Sequence, residues 1–208
     1  MKRVNLGILA IFITVLVLTC YIVIGELSKT KDKDKIKEIC IQYLKIHNKY
    51  SVLEEKYRDI NNNIQTGDYE KYLTNMRIEL SEYVLSENLQ DIYETYKSNL
   101  DSQITGKYIV KKYSRELQDI SRYKYELPYI TINLDLILNI ATEERLNAVK
   151  DEKTNKYIGE ISMDTKTNRL NDTIIFKKID ANYKIVYHKV ASNNINNDPS
   201  SFKINGGM

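Results

Sequence analysis

The chain has 208 residues, 31 of them basic and 28 acidic, for a formal net charge of +3. Setting aside Lys2 and Arg3, which precede the first apolar run, leaves 29 basic residues against 28 acidic. That balance leaves no basic footprint for nucleic acid, and two cysteines, Cys20 and Cys40, are too few for a disulfide framework.

The first element is Val4–Ile24, VNLGILAIFITVLVLTCYIVI, 21 residues with neither charge nor proline. As a helix it would cover about 31 Å, the thickness of a bilayer's hydrocarbon core. The expectation is a membrane anchor within residues 1–27, facing lipid with Val4, Leu9, Phe12, Leu16, Cys20 and Ile24. Two other readings exist: a signal peptide cleaved near Val23-Ile24-Gly25, and a lipoprotein signal with Cys20 as the lipidated residue. The run is long for a signal-peptide core of about 7–15 residues and continues past Cys20, which favours the anchor. Lys2 and Arg3 argue for a cytoplasmic amino terminus. Lys29, Lys31, Lys33, Lys35 and Lys37 on the other flank count the opposite way, but a long domain translocates largely regardless of its charge. The expected placement is therefore single-pass in the cell membrane with the domain outside.

Residues 28–35, SKTKDKDK, read as a charged, solvated connector, and 36–191 as one α+β domain. A helix is predicted over Ile36–Ile60, with Ile36, Ile39, Tyr43, Ile46, Tyr50, Leu53, Tyr57 and Ile60 on one stripe. The plain reading is a helix lying on its own domain's sheet. The same spacing is also a heptad seam, through which a homodimer would form and on which Tyr43, Tyr50 and Tyr57 would be an interaction surface. Tyrosine fills a two-stranded seam poorly. Cys40 reads as a buried, unpaired thiol.

Asn61-Asn62-Asn63 through Gly67 is expected to break the helix. A second helix follows from a cap at Asp68 to Leu85, and a third from Ser86 to Asn99. From Thr105 the period changes to two. Lys107–Tyr113 reads as a strand with irregular pairing towards Lys124, and Leu127–Thr142 as a long one. In the latter, Ile130 to Ile140 at even positions face a core, while Thr131, Asn133 and Asp135 face out. A strand of that length implies a curved, bulged sheet. Glu143–Lys156 reads as a charged connector; Tyr157–Asp164, Asp172–Ile179 and Tyr183–Val190 complete an antiparallel meander, with turns at Thr167–Asn171 and Asp180-Ala181-Asn182. Residues 192–208 are polar and read as a disordered tail.

Chemistry is thinly signposted. Neither His47 nor His188 has a metal-ligand companion at the usual spacings, and no cofactor motif is present. Asp135, with Tyr129 and Asn133 beside it, is the best acid candidate, but its face of the strand is expected to point away from the helices. Thr131, Asn133 and Asp135, with Lys177 and Lys189, read better as an outer sheet face open to protein contacts.

The last hairpin, Thr173–Val190, reads TIIFKKIDANYKIVYHKV. Together with three helices followed by a four-stranded antiparallel sheet, it resembles the closing hairpin of the nuclear-transport-factor-like superfamily, also called cystatin-like or SnoaL-like. Tyr183 stands where that family often has tryptophan. The resemblance implies a cone-shaped domain over Ile36–Val190. The layout is similar to the bridging membrane subunits of type IV secretion and conjugation machines. It implies a non-catalytic scaffold whose partners are the lipid bilayer and other envelope proteins. The alternative it leaves open is a module that binds or senses a small ligand in the cone; an enzyme is the remaining reading.

Overall fold

The chain divides into two units, Met1–Cys40 and Ile41–Met208. The structure, a computed structural model, describes residues 6–58, 63–104, 106–153 and 156–190; the side chains of residues 6–13, 20, 24, 27, 28, 63–66 and 156 lie outside that description, as do residues 192–208.

The first unit is helical. Helix α1, Leu6–Lys49, runs for 44 residues without a break. The expected connector Ser28–Lys35 is therefore part of a helix. It has no glycine or proline to stop one, lysine is a good helix former, and Glu26 steadies the turn through Lys29 at 2.8 Å and Thr30 Oγ1 at 3.0 Å. Cys40 is a buried free cysteine, and burial pushes its thiol pKa up to about 12. Val15, Leu16, Val17, Leu18, Tyr21, Ile22 and Val23 are each more than half exposed. Among the described residues, no helix is long and apolar enough to cross a membrane. Of the residues assigned to the anchor, Leu16 is exposed, Val4 is outside the described residues, and the side chains of Leu9, Phe12, Cys20 and Ile24 are too.

The second unit is α+β, with a four-stranded antiparallel sheet that is not closed. Helix α1 ends at Lys49 rather than Ile60, which falls outside the described residues. Tertiary hydrogen bonds take the backbone groups that further turns would need. The buried Gln103 amide donates to the Ser51 carbonyl (3.0 Å) and accepts from the Leu53 N–H (3.2 Å). A 3-10 turn, Glu55–Tyr57, follows. Helix α2, Asn63–Ser81, starts earlier than the Asp68 cap and includes Gly67, where a Cβ would meet open space. It buries Tyr69, Tyr72, Leu73, Met76 and Leu80. Helix α3, Ser86–Ile104, outruns the predicted Asn99 end because Ile92, Tyr96, Leu100 and Gln103 extend the buried stripe.

The strands are β1 Tyr108–Glu126, β2 Tyr129–Asp151, β3 Lys156–Ile179 and β4 Asn182–Lys189, in sheet order β1-β2-β3-β4. In β2 the even residues Ile130–Ile140 are buried and the odd ones half-exposed, as the alternation predicts. Two expectations fail here. Glu143–Lys156 is mostly strand, with Lys150 opposite Tyr157. Thr167–Asn171 is the middle of β3, not a turn, and lies opposite Asp135–Asn139. Threonine and asparagine favour turns locally, but here a partner strand holds them; Thr167 donates to Asn139 Oδ1 at 2.9 Å.

Two sheet edges are blunted. On β1, Asn48 mimics a strand: it accepts from the Arg115 N–H (2.8 Å) and donates to the Arg115 carbonyl (3.1 Å). On β4, the α2–α3 link pairs with Ile185, which donates to the Tyr83 carbonyl (2.8 Å) and accepts from the Leu85 N–H (2.9 Å). Beyond Glu144, β2 pairs with β3 alone, forming a two-stranded ribbon. A bulge at Leu146/Val149, with Asn147 at φ 49°, faces Gly159, where a Cβ would collide with the Leu146 carbonyl. Gly159→Ala is expected to cost about 1–3 kcal/mol, read as faster amide hydrogen exchange confined to the ribbon.

Candidate functional site

The two histidines meet inside the second unit. His47 lies one turn after Tyr43 on α1, so the two share a face. Tyr96 comes from α3; Tyr113 and Arg115 are two apart on β1 and point to the same side. Asp172 comes from β3 and His188 from β4. All seven are buried, with Tyr113 the most exposed at 7%.

Their polar atoms close into a ring. Arg115 Nη1 donates to Asp172 Oδ2, and Arg115 Nε donates to the Tyr113 hydroxyl. The Tyr113 hydroxyl is 3.0 Å from His47 Nε2, and His47 Nδ1 is 2.5 Å from the Tyr96 hydroxyl. Tyr96 is hydrogen-bonded to Tyr43. The Tyr43 hydroxyl is 3.3 Å from His188 Nδ1, and His188 Nε2 is 3.2 Å from Asp172 Oδ2.

One set of protons satisfies every link. Arginine only donates and the carboxylate only accepts, so direction is imposed at both ends. Tyr113 receives from Arg115 and donates to His47 Nε2. His47 Nδ1–H donates to Tyr96, Tyr96 to Tyr43, and Tyr43 to His188 Nδ1; His188 Nε2–H then donates to Asp172. His47 is neutral in this arrangement. A proton added at His47 Nε2 would remove the acceptor for Tyr113 and set a second cation near Arg115.

The electrostatics agree. Burial, then Arg115 and His188, hold the His47 pKa well below its usual value; Asp172 only partly opposes them. Burial raises the Tyr96 pKa, with Tyr43 adding to it, so its phenol stays protonated. For Arg115, burial works against the charge, but Tyr113 and Asp172 outweigh it and raise the pKa.

The structure places His188 inside, on the sheet's core face. A bulge between Ile175 and Phe176 leaves Val186 unpaired, so Tyr183 and Ile185 point inward and, past the bulge, His188 and Val190 do. Tyr43, Tyr50 and Tyr57, expected as an interaction surface, are buried within the chain. Tyr43 belongs to the ring, Tyr50 donates to Glu79 (3.0 Å), and Tyr57 packs at a tilt against the rings of Tyr69 and Tyr72. The stripe beyond Ile41 thus faces its own domain and leaves no tyrosine seam for a homodimer.

Asp135 sits on the opposite, half-exposed face, accepting from Asn171 (2.5 Å) and Ser121 (3.2 Å). Asn133 accepts from Thr173 at 3.4 Å, and Thr131 is half-exposed. An open depression of about 610 Å³ there is lined by Gln118, Asp119, Asp135 and Arg169, among others. The outer face is a cross-strand ladder of polar groups, with Asp119 directly opposite Asp135 on β1. Sequence reasoning missed Tyr96, Tyr113, Arg115 and Asp172 as a set. One signal was present: Arg115 stands between Tyr113 and Leu117 at the core-facing spacing of β1.

Among the described residues, no group of three His, Cys, Asp or Glu side chains is placed to hold a metal ion. No protein-family model, curated protein or solved structure matches the chain.

Two outcomes are expected. Asp172→Leu strands the Arg115 charge and lowers unfolding stability by about 3–5 kcal/mol, measured by urea titration. For His47, the folded pKa lies below the unfolded value of about 6.5. Below that pH the unfolded chain binds the proton first, so stability is full above it and falls as acid is added. The urea midpoint should drop between about pH 6.5 and 5, with a shallower drop in His47→Gln.

Proposed function

We propose that this chain is a membrane-anchored, non-catalytic module whose domain stands outside the cytoplasm and works through protein contacts. The observation that carries the anchor is the apolar surface of α1. Val15–Leu18 and Tyr21–Val23 go round the helix, not along one stripe, and are all more than half exposed. A helix that is apolar all round is at home in a lipid or protein interior, not in water. Helix continuity from Leu6 to Ile24 supports a span of about 28 Å within the uncharged run.

A non-catalytic role is supported by how the titratable groups are arranged. They converge, as catalysis requires, but each is hydrogen-bonded to another member of the ring, and none is more than 7% exposed. The half-exposed ladder Thr131, Asn133 and Asp135 is the face left for a partner. Assembly in a secretion- or conjugation-like envelope machine, and membership of the nuclear-transport-factor-like superfamily, are supported by the order of helices before an antiparallel sheet. A sensing module is the second reading. One observation favours it: protonating His47 would break the donor order of the whole ring.

The test is fractionation of native cells. The full chain should remain with membranes after alkaline carbonate, and removal of residues 1–27 should release it. Protease added outside spheroplasts should degrade the domain, and mild crosslinking should capture discrete envelope proteins. Recovery of the full chain in the soluble fraction would sink the anchor. A mature chain starting near Gly25 would replace it with a cleaved signal.

A further inference from the structure

One edge of the sheet is left open, and the geometry points to a second copy of this chain as what covers it. Strand β4 pairs with β3 only over Thr173–Ile179. The outer edge of β3 from Lys156 to Asp172 therefore has no strand beside it among the described residues, whereas the β1 edge is met by Asn48 and the β4 edge by the link at Val84. Exposed edges normally carry devices against pairing, such as proline or a bulge. This stretch of β3 has no proline; the bulge at Leu146/Val149 lies at its start, its register with β2 is unbroken from Ile161 to Lys177, and its charges are of both signs, so a second copy can pair them. It exposes Ile158, Ile161 and Met163, the last at 75%.

The sequence of this edge is self-complementary about Met163. In an antiparallel pair with a two-fold axis there, residues equally far on either side of Met163 face each other. Glu160 of each copy then meets Lys166 of the other, Tyr157 meets Arg169, and Ser162 meets Asp164. On the face that Tyr157 and Arg169 share, Ile161 lies opposite Thr165 and beside the two Met163 residues, so the apolar groups of the two copies meet diagonally. Because the axis is two-fold, each heterologous pair occurs twice.

Neighbouring registers are worse. An axis on Ser162 sets Glu160 opposite Asp164; one on Asp164 sets two Asp164 carboxylates together; one on Ile161 sets Lys156 opposite Lys166. An axis on Thr165 keeps Asp164 opposite Lys166 but sets Glu160 against Leu170 and Arg169 against Ile161. The favoured pairing, Tyr157–Arg169 from each copy, runs about 40 Å and joins two four-stranded sheets edge to edge. It does not depend on the chain being anchored.

The test uses the full chain in detergent, in a Cys20→Ser, Cys40→Ser background. Met163→Cys should form an intermolecular disulfide under mild oxidation, since paired residues stand within disulfide reach. Thr165→Cys should not, because its own copy would be about 13 Å away along the strand. In the native-cysteine chain, sedimentation should give a dimer. Glu160→Lys should weaken it about tenfold, and adding Lys166→Glu should restore it. Equal crosslinking at both positions, or a monomer at every attainable concentration, would overturn the proposal. So would a dimer that appears only when residues 192–208 are removed, which would mean that the chain's own carboxy terminus covers this edge.

Discussion

The buried ion pair between Arg115 and Asp172 is the constraint on which the second unit depends. Taking a guanidinium and a carboxylate out of water costs several kcal/mol per ion, and their mutual attraction offsets it only if the remaining donors and acceptors are also met. Both side chains are fully buried. Arg115 therefore needs Tyr113 for its Nε–H, and Asp172 needs His188 as a second donor. Each of those brings its own unmet group, and the chain of requirements closes only through His47, Tyr96 and Tyr43. A ring of this kind fixes the relative placement of five elements: α1 beyond Ile41, α3, and the strands β1, β3 and β4. Apolar packing alone tolerates small slips that this network does not.

The same ring takes up part of the tyrosine in the interior. Tyrosine outnumbers phenylalanine 17 to 3, and much of that tyrosine is inside. A buried phenol calls for a partner for its hydroxyl; Tyr43, Tyr96 and Tyr113 find theirs in one another and in the imidazoles, whereas the Tyr72 hydroxyl is buried without one. Tyr69 on α2 and Tyr50 after α1 use carboxylates instead, donating to Asp101 at 2.8 Å and Glu79 at 3.0 Å. The core is thus directional. Its hydrogen bonds have an order from Arg115 to Asp172, and that order needs a neutral His47.

Two features look outward in different ways. The broad face of β2 and β3 carries small polar groups tied across strands, and it stays presentable to water without being sticky. The β2–β3 ribbon and the β3 edge expose Leu146, Val149, Ile158, Ile161 and Met163. Strand β4 is only eight residues long beside a β3 of 24, and this mismatch leaves the edge bare.

Several things followed from the sequence by itself. Periodicity gave the α+β class, three helices ahead of the strands, and the buried even face of β2, because a period of 3.6 or 2 is a local property of the chain. The last hairpin, with Asp180 in the left-handed region at φ 53°, was legible for the same reason. Only the tertiary structure decided where elements end. Helix α1 stops where Gln103, some fifty positions later in the chain, takes its backbone groups, and Thr167–Asn171 extends because β2 lies alongside. The site was decided at the same level. His47, Tyr113, Asp172 and His188 are scattered over four elements, and their convergence is a fact about register. One bulge at Val186 reverses the facing of His188, and no local pattern announces where a strand will gain its extra residue.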